Sequence, residues 1–391
     1  MPLEAPATLG RREFRVTPDY AYAVNSSAYR GKNQYRAHSL FFEKRVADRF
    51  FFEAAGTVQD QDADLYTPAS EYFALSEAFT FDMNQYSAAI GALPLFGPVF
   101  LATGNAALAI NTTFIVGLAL TGATMHVVVR RWTGSDLAGV VGAATVVTNQ
   151  WLVWAFVPSA PHWATLYCLP LIAFFAARRP KSVAAALVLV PLIVLPCLTD
   201  LVYIAPAVMG PLGALAGFQL LRGRTRAAGL RLIGVLALAV LVLVPVYRGY
   251  ANVRAANPDL AKQTKWTGAG ASFPTPLPER LLHGAQPFVL TPVAMGLVVL
   301  GVAAAAWRRR SGGVPPLPGG WAHGALWTLV GGCLAQNPTV LIGGKVFVTP
   351  LAYVAQWLPA LSVIRVPGRI GVAGLIGVGI LSGVAFGEIA G

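Results

Sequence analysis

Between Val183 and Leu221 the chain runs for 39 residues with a single charged side chain, Asp200. A helix needs about 20 apolar residues to cross the hydrocarbon core, so this stretch is too long for one crossing and right for two, joined by a turn at Thr199-Asp200. Runs of similar character fill the chain from about Ala106 onward, and most are closed by arginine. Hydrophobic residues make up 55% of the chain and charged residues only 12%. That excludes reading the 391 residues as two or three soluble domains. The 40 glycines and 28 prolines, which would mark disorder in a polar chain, suit spanning helices.

Nine spans are expected: Ala106–Val129, Leu137–Val157, Pro161–Ala177, two within Val183–Leu221, Leu232–Tyr247, Pro287–Trp307, Trp321–Ile342 and Ile370–Glu388. The fold class is therefore an all-α polytopic transmembrane bundle with a polar N-terminal region. Residues 1–58 form that polar segment, and 59–391 the membrane domain, with a first outer loop at 59–105 and further outer loops at 248–286 and 343–369. No apolar core follows Met1, so no signal peptide is read there. Leu40, Phe41, Phe42, Val46, Phe50 and Phe51 recur near helical spacing and predict a helix over Ser39–Ala55.

Charge sorts by loop. The loops after the first, third, fifth and seventh spans carry 2, 3, 4 and 3 Lys or Arg, and the turns after the second and fourth carry none. The positive-inside rule makes the first set cytoplasmic in a bacterial inner membrane. Asp200 and the three outer loops then fall on the extracytoplasmic face. The net charge of +12 is accounted for by these loops facing anionic lipid, without invoking nucleic acid. About a hundred N-terminal residues would have to cross unaided, so an upstream span is expected to be missing and the chain truncated. Cys168, Cys197 and Cys333 lie in or beside apolar runs and read as small buried hydrophobes. His126, His283 and His323 share no metal-ligand spacing.

Twelve of the seventeen carboxylates lie at or before Asp82. Asp60, Asp62 and Asp64, with Glu71 and Glu77 behind them, stand ahead of the first span. The spacing of Asp60, Asp62, Asp64 and Glu71 imitates a calcium loop, but Leu65 stands where the sharp turn needs Gly. Two readings stay open: a solvated acidic loop, or a site for a divalent cation or a general base. Asp200 is either a helix N-cap at a turn or a functional carboxylate at bilayer depth. His162, among Trp151, Trp154 and Trp163, is an interfacial residue or an acid–base group. Arg365-Val-Pro-Gly-Arg369 either binds a phosphate with its two guanidinia or snorkels at a helix end. Gly213xxxGly217 and Gly379xxxGly383 are small-residue packing motifs.

Asp64-Leu-Tyr-Thr-Pro68, Leu75-Ser-Glu77, the Thr103–Asn111 segment with Asn105, Arg131-Trp-Thr-Gly134, Leu358-Pro359 and Ile364-Arg365-Val-Pro367-Gly-Arg369 resemble bacterial polytopic glycosyltransferases of the GT-C superfamily over roughly residues 60–390. The resemblance implies transfer of a sugar from a polyprenyl-phosphate-linked lipid to an acceptor on the non-cytoplasmic face, with a key carboxylate in the first outer loop. Asp60, Asp62 and Asp64 are then the catalytic candidates. Glu71, Glu77, Asn105, His162, Asp200, Arg365 and Arg369 are the candidates for binding substrate, and a divalent cation is a possible cofactor at Asp60–Asp64. The alternatives are a transporter or flippase for a lipid-linked saccharide, which would use Asp200 within the bundle, and a noncatalytic truncated membrane protein.

Overall fold

The computed structural model describes residues 14–25, 33–47, 50–63, 85–155, 161–178, 182–256, 287–310, 318–336, 339–342, 345–349, 352–353 and 367–390. The chain divides into two units, Met1–Asp82 and Met83–Gly391.

The first unit holds a three-stranded antiparallel sheet of β1 (Phe14–Asn25), β2 (Asn33–Ala47) and β3 (Phe50–Ala63), with β2 in the middle. The helix expected over Ser39–Ala55 is therefore replaced by the end of β2 and the start of β3, and the chain is not all-α. Leu40-Phe41-Phe42 and Phe50-Phe51-Phe52 explain the difference. Aromatic residues favour strands, and runs of them satisfy a helical spacing by accident.

The second unit is helical. It comprises α1 (Gln85–Thr103), α2 (Ala106–Thr133), α3 (Asp136–Val147), α4 (Cys168–Ala177), α5 (Val183–Leu187), α6 (Leu189–Cys197), α7 (Leu201–Leu221), α8 (Arg226–Ala256), α9 (Pro292–Arg310), α10 (Pro318–Leu334) and α11 (Val372–Ala390). Short turns at Trp151–Ala155, Pro161–Ala164, Gly223–Thr225 and Pro367–Gly371 join some of them. Among the described residues, four segments are long and apolar enough to cross a membrane: Leu108–Thr133, Leu201–Leu221, Gly223–Arg248 and Pro367–Ala390. The expected second and third spans are shorter than drawn, because α3 has 12 residues and α4 has 10. The eighth gives way after Leu334 to a hairpin of β4 (Thr339–Ile342) and β5 (Lys345–Val348). In contrast, α1 was not expected; it lies in what reads as outer loop, and Pro94 and Pro98 inside it hid its length.

Burial identifies the centre. Pro367–Ala390 is 83% buried and Gly223–Arg248 only 28%. In α8, Leu232, Val235, Ala239 and Leu243 recur at helical spacing and are buried, yet the outward residues Leu230, Ile233, Leu238, Val240, Leu241 and Val242 are exposed and equally apolar. A helix bathed by water on that side would carry polar residues there. Lipid is the solvent this surface fits, and the chain is read as a membrane protein.

Lipid is as apolar as leucine, so close packing must supply what the hydrophobic effect cannot. The central helix α11 does this with glycine. Gly379 and Gly383 lie on α2 and α3, where an added Cβ would stand 3.1 Å from the Gly142 carbonyl oxygen and 2.7 Å from that of Ala138, respectively. Gly213 and Gly217, the same motif on α7, have nothing within 4 Å.

The α1–α2 hairpin turns at Gly104, whose φ of +65° suits glycine. Asn105 then caps α2, its side-chain oxygen accepting from the Leu108 amide at 3.0 Å. Asn105→Ala is expected to cost about 1 kcal/mol, read as a lowered thermal midpoint in detergent.

Candidate functional site

Three carboxylates of the helical unit are described, and position separates them. Asp136 opens α3 and is held by Arg130 at 3.0 Å and His126 at 3.3 Å. Glu388, buried near the end of α11, pairs with Arg308 at 3.6 Å, and the same guanidinium donates to the Glu388 carbonyl. Both stand at the arginine-rich end of the bundle, where an acid neutralises a structural cation.

Asp200 is at the other end. It breaks the long apolar run as the N-cap of α7, with one carboxylate oxygen accepting from the amides of Val202 at 3.1 Å and Tyr203 at 3.2 Å. The N-cap alternative is thus what the geometry shows, but it does not exhaust the residue's surroundings. Burial pushes the carboxyl up from its ordinary value to about 6, against the downward pull of the Tyr203 amide, the Arg369 charge and the Val202 amide. Arg369, 169 residues later in sequence, lies in the Pro367–Gly371 turn with its guanidinium 5.2 Å from the centre of the Tyr203 ring. Trp163 leans on Tyr203 at 6.1 Å, and Trp151 meets Trp163 edge-on at 5.4 Å. Trp151 and Trp163 are buried, so they form a rigid floor under Tyr203 rather than a surface.

Depth follows from helix length. At about 1.5 Å per residue, the 21 residues of α7 carry the chain roughly 31 Å from Asp200 to Arg222. On α11, Arg369 precedes Glu388 by 19 residues, roughly 28 Å. The hydrocarbon core is about 30 Å thick. Along each of two helices, Asp200 and Arg369 thus lie about one such thickness from the arginine-rich end.

Several neighbours hold this end together. Asn149 donates to the Pro287 carbonyl at 3.2 Å and accepts from the Trp151 amide at 3.0 Å. Phe288 packs on Gly371 and Gly374 at the start of α11. Thr199, beside Asp200, is buried with its hydroxyl unpaired, and Gly91 of α1 lies directly on it, since a Cβ there would stand 2.5 Å from the Thr199 amide nitrogen. Asn149, Tyr203, Thr199 and Gly91 were not foreseen as site residues. A lone Asn after an apolar run and a Tyr inside one carry no local signal.

The remaining candidates fall elsewhere. Asp60 and Asp62 lie on β3, in register with Arg36 and Gln34 of β2. Asp64, Glu71, Glu77 and Arg365 are outside the described residues. His162 is in the Pro161–Ala164 turn, with only its backbone described. Asn105 serves as the cap of α2. No group of three His, Cys, Asp or Glu gathers to hold a metal among the described residues.

No protein-family profile, curated protein or solved structure matches this chain.

Proposed function

We propose that this chain is an integral membrane transferase of GT-C type, which moves a sugar from a polyprenyl-phosphate-linked donor to an acceptor at the membrane face opposite its basic loops. The observation that supports the reading is Arg369 resting on Tyr203 with its charge acting on the Asp200 carboxyl, at the end where the phosphate of a lipid-linked donor would lie. In the proposed step the acceptor oxygen attacks the anomeric carbon and its proton passes to the Asp200 carboxylate. A carboxyl titrating near 6 suits that task at neutral pH. The bond from the anomeric carbon to the phosphate oxygen breaks, and Arg369 meets the charge left on the departing lipid phosphate. The reading includes about nine crossings in a bacterial inner membrane. Reporter fusions after Arg131, Gly249 and Arg310 test the orientation, and an extracytoplasmic Arg310 would sink it.

The test of activity is transfer of labelled sugar from polyprenyl-phosphate donors by the reconstituted protein. Asp200→Asn and Arg369→Gln should each abolish transfer while the protein still inserts and purifies. Asp60→Asn and Asp62→Asn decide whether β3 contributes a catalytic group, and wild-type rates in both remove it. Undiminished transfer by Asp200→Asn overturns the assignment. A flippase for the same lipid is the second reading, favoured by the position of Asp200 at a break between apolar helices. It predicts movement of the lipid-linked saccharide across the vesicle with no transfer.

A further inference from the structure

The basic end of the bundle carries one arrangement twice. Arg178, just after α4, places its guanidinium 4.3 Å from the centre of the Phe174 ring, and Arg222, just after α7, does the same to Phe218 at 4.1 Å. In each case the aromatic residue precedes the arginine by four positions, one turn of the same helix. Arginine at a membrane helix end ordinarily extends outward to water. Side chains on a helix slant toward its N-terminus, and both helices run toward the basic end. These two guanidinia therefore fold back toward the hydrocarbon. There each has its central carbon over an aromatic ring.

The corner between α7 and α8 carries the most charge. The Gly223–Thr225 turn joins these two packed helices, and α8 begins at Arg226. Between Asp200 and Asp259 the sequence contains no carboxylate, while Arg222, Arg224, Arg226 and Arg231 fall within ten residues. Directly beneath lies exposed apolar surface: Phe218, Leu221 (88% exposed) and Leu230. We propose that this surface binds an anionic phospholipid of the leaflet at the basic end. The phosphate is held by the guanidinium of Arg222, with Arg224 and Arg226 adding charge, and an acyl chain lies along Phe218, Leu221 and Leu230. Planar guanidinium groups engage phosphate in bidentate fashion, and stacking on the ring pre-orients them for it. The site is separate from the Asp200–Arg369 end and stands whether or not the protein is a transferase.

The experiment is displacement of a fluorescent phosphatidylglycerol from the purified full chain in neutral detergent, with phosphatidylglycerol, phosphatidylcholine or inorganic phosphate as competitor. Phosphatidylglycerol should compete about ten-fold or more better than phosphatidylcholine, and inorganic phosphate should not compete. Arg222→Gln should weaken binding about five-fold, and the double variant Arg222→Gln/Arg226→Gln should weaken it further. Arg222→Lys, which keeps charge but loses the planar stack, should fall between. Equal competition by the two lipids, or wild-type affinity in the double variant, overturns the site. If the double variant does not fold, rising salt must weaken binding to the wild-type protein, and salt-independent binding overturns the proposal equally.

Discussion

Gly331→Val is expected to eliminate the folded bundle, and Gly217→Val to leave it intact. Gly331 is on α10 where that helix crosses α11. A Cβ there would overlap the Gly374 amide nitrogen and stand 2.8 Å from the Ala373 carbonyl carbon. The obstacle is backbone, which cannot turn aside as a flexible side chain can. The reciprocal contact strengthens the case, because Gly377 of α11 receives the Thr328 amide and the Gly324 carbonyl of α10. Separating the two helices enough to admit a valine would loosen packing along the whole crossing, and in lipid that packing is the main source of helix association. Overpacking typically costs about 1–3 kcal/mol, and a backbone obstacle puts this site at the upper end of that range. Gly217 has nothing within 4 Å, so its valine projects into lipid. The measurement is the monodisperse fraction in detergent and its thermal midpoint for both variants. A Gly331→Val protein with a wild-type midpoint would show that α10 and α11 do not pack as described.

That contrast also marks how far the sequence could be read. Gly213xxxGly217 and Gly379xxxGly383 are the same pattern, and only the second is an interface. A pattern states that two backbones can approach; which helix supplies the second backbone is a tertiary fact. The helix ends at Arg130-Arg131, Arg178, Arg222 and Arg308–Arg310 were legible because terminal charge is a local property, although α4 is shorter than its apolar run suggests. The division of Val183–Leu221 at Thr199-Asp200 was legible for the same reason. By contrast, α1 was masked by its two prolines, which membrane helices tolerate. The β4–β5 hairpin did leave a signal that went unused, since Gly343-Gly344 separates Ile342 from Lys345, and those two residues pair in register. Asp200 and Arg369 were each singled out as ambiguous. What links them is the Arg369 charge acting on the Asp200 carboxyl, and no local feature connects residues 169 positions apart. Tyr203 entered the site for the same reason, as the ring on which Arg369 rests.

Asp200 should also make the protein more stable at mildly acidic pH than at neutral pH, which reverses the usual behaviour of a capping carboxylate. An N-cap aspartate is ordinarily stabilised in its ionised form by the amides it accepts from. Here burial outweighs the Tyr203 and Val202 amides and the Arg369 charge, so the folded protein holds the proton up to about pH 6 where an unfolded chain releases it near 3.8. A raised folded value means that the folded state binds the extra proton. The resulting stabilisation is complete below about pH 4, declines as pH rises through about 6, and is gone above it. A gap of about two units corresponds to on the order of 2–3 kcal/mol. Thermal midpoints of the purified protein between pH 4.5 and 7.5 should therefore fall with rising pH. Asp200→Asn should flatten that part of the profile, because the amide keeps the cap acceptor and cannot ionise. At neutral pH the same variant should be at least as stable as wild type while losing transfer, so that its inactivity cannot be attributed to misfolding. A wild-type profile that rises with pH over this range, or an unchanged slope in Asp200→Asn, would show that the carboxyl is solvated and titrates near its ordinary value, too weak a base for the proposed step.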